Sequence, residues 1–137
     1  MPSVLEDFGG GEAIGNLLTN HQNHSNIQIR YKNDTRSSSN ISYDIQISLY
    51  RIAQETINNI IKHAKATEIK VSISEFDDHL GLFISDNGCG FDVFHIHEGN
   101  GIRNIKERVN LLNGTMEIKS KKQLGTTVEV EIPISYE

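Results

Sequence analysis

The sequence predicts an α+β fold, a two-layer α/β sandwich in which a mixed, mainly antiparallel sheet carries helices on one face. Two observations support this prediction. Segments with apolar residues at helical spacing are interspersed with shorter segments in which apolar and polar residues alternate, in the order α-β-α-β-β-α-β-β. Short turns join the strands of the two predicted hairpins, which favours antiparallel pairing.

Three segments have helical periodicity: residues 11–21, 42–66 and 101–112. Ser42 is a suitable N-cap for the long middle helix, and Asn113-Gly114 is a typical stop for the last one. The apolar stripe of the middle helix consists of Leu49, Ile52, Ala53, Thr56, Ile57, Ile60, Ile61 and Ala64.

Five segments are predicted to be strands: residues 27–31, 69–74, 80–85, 115–120 and 126–134. The first two alternate apolar and polar residues. Asp77-Asp78 predicts a turn between the second strand and the third. Pro133 lies near the closing edge of the last hairpin, where proline is tolerated.

The composition fits one globular domain that spans residues 1–137. Hydrophobic residues make up 36% of the chain and charged residues 23%, as in folded proteins. No apolar run approaches the ~20 residues of a membrane helix, and the N-terminus lacks the pattern of a signal peptide. We therefore expect a cytoplasmic location, which includes the cytoplasmic end of a membrane-anchored protein.

The net charge of -5 argues against a nucleic-acid partner, because phosphate backbones are bound by a basic excess. The single cysteine, Cys89, excludes an internal disulfide and a cysteine-based zinc cluster. His95 and His97 could reach one metal ion, but no third ligand is apparent. Solvated side chains are the preferred interpretation.

Two nucleotide signatures nearly occur. Residues 10–15 have the glycine spacing of a P-loop, but Asn16 stands in place of the phosphate-binding lysine. The turns that begin at Gly88 and Gly99 start a dinucleotide fingerprint, yet neither has a glycine at its third position. Both signatures are rejected.

The long helix is predicted to carry four functional side chains on one face. On a wheel of roughly 100° per residue, with Glu55 at zero, Asn59 falls at about 40° and Lys62 at about -20°. His63 falls at about 80°. A solvated polar face explains the same pattern, so this face alone implies no function.

The third strand is predicted to end at Asp86, in a glycine-rich turn. A carboxylate at a strand end, with apolar neighbours, can accept a hydrogen bond from an exocyclic amine such as that of adenine. Gly88 and Gly90 would let the backbone approach a flat ring. An ordinary Asp-Asn-Gly turn is the alternative.

A third cluster, Gly99-Asn100-Gly101, begins the last helix. Free backbone N–H groups and the positive end of the helix dipole make this position a phosphate cradle. A flexible loop that leads into a helix is the alternative.

Together, the order and spacing of the three clusters resemble the Bergerat-type ATPase fold of histidine kinases, Hsp90 chaperones, type II topoisomerases and MutL. The resemblance extends over about residues 5–134. Residues 51–64 resemble the N box of histidine kinases of the NarX/DesK-like subfamily, residues 86–91 the G1 box, and residues 99–108 that subfamily's G2 box. Residues 125–128 match the terminal Gly-Thr element.

The resemblance implies a role for each residue of the helix face. Asn59 would coordinate Mg²⁺ through its side-chain oxygen, and Glu55 would be the base that activates an attacking histidine. Lys62 and His63 would lie near the phosphates.

It also implies an ATP cavity around Asp86, which would accept the adenine amine with support from Thr126. Residues 91–98 would form a short ATP lid. The other residues implied to shape the nucleotide cavity are Gly88, Gly90, Gly99, Gly101 and Ile102.

The implied function is that of the ATP-binding catalytic domain of a bacterial two-component sensor histidine kinase. Such a domain binds Mg-ATP and donates its γ-phosphate to a histidine on a dimerisation domain, for relay to a response regulator. None of the histidines of this chain lies in a phosphoacceptor motif, so we expect the chain alone not to autophosphorylate. No nucleic acid and no direct membrane contact are expected.

Two alternatives share this fold. One is a regulatory binding protein of the anti-sigma-factor type, which phosphorylates serine on a partner. The other is a degenerate nucleotide-binding module, against which the joint presence of Glu55 and Asn59 argues.

Overall fold

The computed structural model describes residues 10–36, 41–63, 65–89, 100–121 and 123–134. Within these ranges the chain forms three helices and five strands, in the predicted order. The helices are α1 (Gly10–Asn23), α2 (Tyr43–His63) and α3 (Asn100–Leu111). The strands are β1 (Gln28–Asp34), β2 (Glu68–Glu75), β3 (His79–Asp86), β4 (Thr115–Lys121) and β5 (Gly125–Pro133).

The five strands form one sheet in the order β1-β2-β3-β5-β4. β1 and β2 run parallel, and the other three neighbouring pairs are antiparallel. The prediction of a mixed, mainly antiparallel sheet is therefore confirmed. In the register of β3, Asp86 is opposite Ile69 on one side and Thr126 on the other.

The core lies between the helices and one face of the sheet. Alternate residues of β2, β3 and β5 are buried, whereas residues such as Lys70 and Glu129 on the other face are exposed. Helices on one face explain this alternation, as predicted. The sheet and helix residues with the most deeply buried side chains are Ile69, Ile73, Leu80, Leu82, Ile84 and Ile132, with Ile14, Leu49, Ile52, Ile57 and Ile105.

Both ends of α2 have a local cause. Ser42 Oγ accepts a hydrogen bond from Ile45 N at 3.4 Å, which confirms the predicted N-cap. The helix ends at His63, three residues before the predicted end. Lys65 has a φ of 52°, a left-handed conformation that an α-helix cannot continue through.

The end of α3 forms a Schellman motif. Asn113 has a φ of 58° and its N–H donates to Asn110 O at 3.0 Å. Gly114 N–H donates to Val109 O at 2.9 Å. Both bonds satisfy carbonyls that the helix leaves open, as the Asn-Gly pair predicts.

The character of β3 differs from the prediction at Phe83. In the sequence, residues 82–85 look like a buried strand, but Phe83 is 36% exposed. Leu82 and Ile84 point into the core, so the residue between them belongs to the opposite face.

In the part of the chain that the structure describes, no helix combines the length and the apolar character needed to span a bilayer.

Candidate functional site

Asp86 ends β3 with its side chain on the core side of the sheet and is only 6% exposed. Its Oδ1 accepts a hydrogen bond from Gly88 N at 2.7 Å, which closes the turn. Its Oδ2 is buried and has no hydrogen-bond partner among the described residues. A buried acceptor without a partner is costly, and a donor from a ligand would remove that cost.

The charge of Asp86 reflects the same environment. Burial raises the pKa of the carboxyl group, while the nearby backbone groups of Gly88 and Thr126 act in the opposite direction. The effect of burial is the larger one, so the pKa is raised, and the protein compensates the charge of the carboxylate only in part. An N–H donor at Oδ2 would stabilise the ionised form.

Thr126 is buried beside Asp86, as its register partner on β5. Its hydroxyl lies 2.9 Å from Ser120 Oγ on β4. On neighbouring strands, the acceptor side chain of Asp86 therefore lies beside the side chain of Thr126, whose hydroxyl can donate. This combination suits the adenine edge that carries the exocyclic amine and a ring acceptor.

Asn87 ties the turn after β3 to the start of β2. Its Oδ1 accepts hydrogen bonds from Thr67 N and Glu68 N, each at 2.9 Å, and its Nδ2 donates to Thr67 Oγ1 at 2.9 Å. The sequence predicts only a turn at Asn87. Its polar groups are satisfied by the protein, so it supports Asp86 rather than a ligand.

Gly125 lies against the backbone of Asp86. Its φ is 97°, and a Cβ built on it would be 2.1 Å from Asp86 O. Only glycine permits this approach. The glycine of the Gly-Thr element therefore lets the start of β5 pack against the backbone of Asp86.

We expect Gly125→Ala to lower the free energy of unfolding by at least about 2 kcal/mol, because it adds a backbone clash to a disfavoured φ. Chemical denaturation monitored by circular dichroism measures this. Gly81→Ala is the matched control, since the nearest atom to its Cβ would be Phe76 Cε2 at an ordinary 3.6 Å. Equal stabilities for the two variants would contradict the close approach.

The predicted polar face of α2 is present. Glu55 and Asn59 are half-buried and Lys62 is exposed, whereas Ile57 and Ile60 are buried. His63 is the last helical residue, and its side chain lies outside the described part of the chain. One carboxylate and one amide thus lie a turn apart on the same side of the helix.

Glu55 approaches α3. Its Oε1 lies 3.9 Å from Arg108 Nε, and its Oε2 is buried without a hydrogen-bond partner among the described residues. Arg108 is not among the predicted site residues, although it ends the segment that resembles the G2 box. Arg108 lies seven residues, about two turns, after Gly101, so both belong to one face of α3. That spacing could have suggested it.

The phosphate cradle is described only in part. The backbone of Gly101 and Ile102 lies in the first turn of α3, where helical N–H groups have no partner within the helix. Gly90, Gly99 and the predicted lid, residues 91–98, lie outside the described residues. Gly88 is buried next to Asp86.

Protein ligands for a metal are few. Among the residues that the structure covers, no group of three or more histidine, cysteine, aspartate or glutamate side chains could hold an ion. Asn59, with Glu55 near it, fits an ion that takes most of its ligands from phosphate and water.

A separate cavity of about 410 Å³ lies between α1 and β1. Its lining includes Glu12, Gln22 and Tyr31, and none of the predicted site residues. The Tyr31 hydroxyl donates to Gly11 O at 2.7 Å, which ties the strand to the helix. This cavity is distinct from the site around Asp86.

A mixed sheet with helices on one face, and a buried carboxylate oxygen that has no donor among the described residues at the end of a central strand, are features expected of a nucleotide-binding α+β domain. Residues 44–136 match the model of the histidine kinase-, DNA gyrase B- and HSP90-like ATPases, and the chain belongs to this family. Membership of an ATPase family implies that the chain binds ATP.

Curated sensor kinases are similar to nearly the whole chain. The chain is 34% identical over 135 residues to the signal transduction histidine-protein kinase/phosphatase DegS of Brevibacillus brevis. The aligned region covers 98% of this chain and 35% of that protein. It is 32% identical over 136 residues to the sensor histidine kinase ComP of Bacillus subtilis, covering 97% and 18% respectively. The chain thus spans about a third or less of these relatives. They confirm the resemblance to histidine kinases of the NarX/DesK-like subfamily.

A solved structure confirms the fold. The histidine kinase domain of the Erythrobacter litoralis EL346 blue-light activated histidine kinase superimposes with a TM-score of 0.77 at 21% identity, covering 90% of this chain and 60% of that one. The predicted Bergerat-type sandwich is therefore correct.

Proposed function

We propose that this chain is the catalytic domain of a sensor histidine kinase, which binds Mg-ATP and donates the γ-phosphate to a histidine on a dimerisation domain for relay to a response regulator. The observation that carries the proposal is the buried Oδ2 of Asp86, an acceptor for which the described residues supply no donor. Its place in an ATPase fold with sensor kinase relatives supports the assignment.

In this proposal Asp86 selects adenine. Oδ2 accepts a hydrogen bond from the exocyclic amine, and Thr126 supports the same edge directly or through water. Guanine has a carbonyl oxygen at the corresponding position, which would face the carboxylate with no proton to share. The remaining residues proposed to shape the cavity are Gly88, Gly90, Gly99, Gly101 and Ile102.

The polar face of α2 serves the phosphates. Asn59 would hold Mg²⁺ through its side-chain oxygen, and the ion would supply positive charge that offsets the charge of the phosphates. Lys62 and His63 lie toward the phosphate end. Glu55 accepts or orients the proton of the attacking imidazole, which keeps the attacking nitrogen nucleophilic.

We propose further that residues 1–137 form a single catalytic domain that works in the cytoplasm. A single domain is supported by a composition typical of folded proteins and by the one continuous core of the described residues. The cytoplasmic location follows from the use of ATP. Its protein partner is the dimerisation domain, with the response regulator reached only through it; no nucleic acid and no direct membrane contact are proposed.

Phosphate transfer to a separate acceptor tests the function. The chain, with Mg²⁺ and ATP labelled in the γ-phosphate, is mixed with the histidine-bearing dimerisation domain of its parent kinase or, if needed, of DegS. We expect label on the acceptor that is stable in base and labile in acid, as phosphohistidine is, and none on the chain alone. Acid-stable label on serine would instead indicate the anti-sigma-factor type of function, and failure to bind ATP would contradict the proposal altogether.

We expect Asn59→Ala to weaken ATP binding at least about tenfold when Mg²⁺ is present, the equivalent of about 1.4 kcal/mol. Binding in the presence of a chelator should change little, because only the metal contact is lost. Isothermal titration calorimetry with and without Mg²⁺ measures both affinities. Asn58→Ala is the matched control, since Asn58 is exposed on the same helix. Equal affinities for the two variants in Mg²⁺ would refute a metal contact at Asn59.

A further inference from the structure

Glu55 and Arg108 form an ion pair that lies between α2 and α3. Glu55 Oε1 and Arg108 Nε are 3.9 Å apart, and the side chains are 26% and 42% exposed. Glu55 Oε2 and Arg108 Nε are both buried, and neither has a hydrogen-bond partner in the described ranges. Each partner therefore has a buried polar atom that is left open.

The distance between the two side chains allows electrostatic attraction but not a direct hydrogen bond. At 3.9 Å the two groups attract each other, but the distance is well beyond the roughly 2.9 Å that is typical of an N–H···O hydrogen bond. No hydrogen bond within the described chain fixes the orientation of Glu55 Oε2. The guanidinium attracts the carboxylate across half-buried surroundings, where charges are screened less than in water.

Other basic groups are poorly placed to replace Arg108. Among the described residues, it is the one whose charged group lies within 4.0 Å of the Glu55 carboxylate. Lys62 is exposed and lies seven residues along α2, about 10 Å by the helical rise. Within the described ranges, the cation that lies beside the half-buried carboxylate thus comes from a different helix.

We propose that Arg108 is the positioning residue for Glu55: from α3 it orients the carboxylate and offsets its negative charge while phosphate is transferred. This rests on the proposed function, in which Glu55 is the base. Arg108 acts only through Glu55 and contacts neither ATP nor the attacking histidine. A base held in this way meets the imidazole with less loss of side-chain freedom.

A double-mutant cycle tests whether Arg108 acts through Glu55. The rate of phosphate transfer to the dimerisation domain at saturating Mg-ATP is measured for the wild type, Arg108→Ala, Glu55→Gln and the double variant, and ATP affinity is measured for each. We expect Arg108→Ala to slow transfer about tenfold in the wild-type background and to have no further effect beside Glu55→Gln. ATP affinity should stay within about twofold, the resolution of additivity for uncoupled sites.

Two further variants separate positioning from folding. Arg108→Lys keeps a positive charge at this position and should recover part of the lost rate. Arg30→Ala removes an arginine of a comparable pair, in which Arg30 Nε lies 3.2 Å from Glu68 Oε1, and should leave the rate unchanged. A wild-type rate for Arg108→Ala, a rate above it, or an equal loss beside Glu55→Gln would overturn the proposal.

An NMR measurement on Glu55 itself tests the pairing with Arg108 independently of the proposed function. The ¹³C chemical shift of the Glu55 carboxyl carbon should move in Arg108→Ala and stay unchanged in Arg30→Ala. If wild-type protein transfers no phosphate, the proposed function is wrong; the NMR result then decides by itself whether Arg108 controls the carboxylate. An unchanged shift in Arg108→Ala would overturn the pairing in either case.

Discussion

ATP should bind Asp86→Asn about 10 to 100 times more weakly than the wild type, because hydrogen bonds to a charged acceptor contribute about 1.5–3 kcal/mol. The substitution keeps the shape of the side chain and an oxygen that can accept from Gly88 N. It replaces one carboxylate oxygen by an amino group, and in either orientation the adenine amine loses its charged acceptor. Titration calorimetry with ATP gives the affinity.

The same variant should be at least as stable as the wild type. The pKa of Asp86 is raised in the folded state, chiefly by burial, so the folded chain holds this proton at pH values where the unfolded chain has lost it. The contribution of Asp86 to the free energy of unfolding therefore falls as pH rises from the unfolded pKa to the folded one, and stays low above it. Asparagine removes this dependence.

Thermal unfolding across an acid-to-neutral pH series checks the stability, and ATP titrations over the same series should show affinity falling as Asp86 becomes protonated. Asp34→Asn, at an exposed position of β1, is the control. A large loss of stability together with unchanged affinity for ATP would show that Asp86 holds the fold and does not read the base.

The second large effect is expected for Glu55→Gln, which should slow phosphate transfer at least about 100-fold, within the range for loss of a general base. ATP affinity should change little, because glutamine is isosteric and Glu55 has no proposed contact with adenine. Single-turnover transfer from prebound Mg-ATP isolates the chemical step. Glu129→Gln, on the exposed face of β5, is the matched control. Transfer within a few-fold of the wild type would remove Glu55 from the role of base.

Strong local periodicity explains which parts of the fold could be predicted. Residues of β2 and β3 alternate between core and solvent, and the predicted stripe of α2 around Ile52 and Ile57 repeats over about four turns, so burial was readable from the sequence alone. Asp86 was found for the same reason, since the end of an apolar strand is a local feature. The stop of α3 at Asn113 follows from local turn chemistry.

Contacts between distant segments could not be read in this way. The parallel pairing of β1 with β2 depends on strand order, which periodicity does not fix. Glu55 and Arg108 are 53 positions apart and meet only because α2 packs against α3. The early end of α2 reflects the left-handed backbone of Lys65, a residue type that gives no warning of it.

Asn87 gives the site a mechanical property. Since its one side chain binds the backbone of Thr67 and Glu68, the turn that carries Asp86 is attached to the beginning of β2 as well as to β3. Opening of this turn must also release the first residues of a strand in the middle of the sheet, whose loss would disrupt much of the core. The end of the domain that carries Asp86 therefore belongs to the same cooperative unit as the sheet, and local fraying should be confined to segments elsewhere.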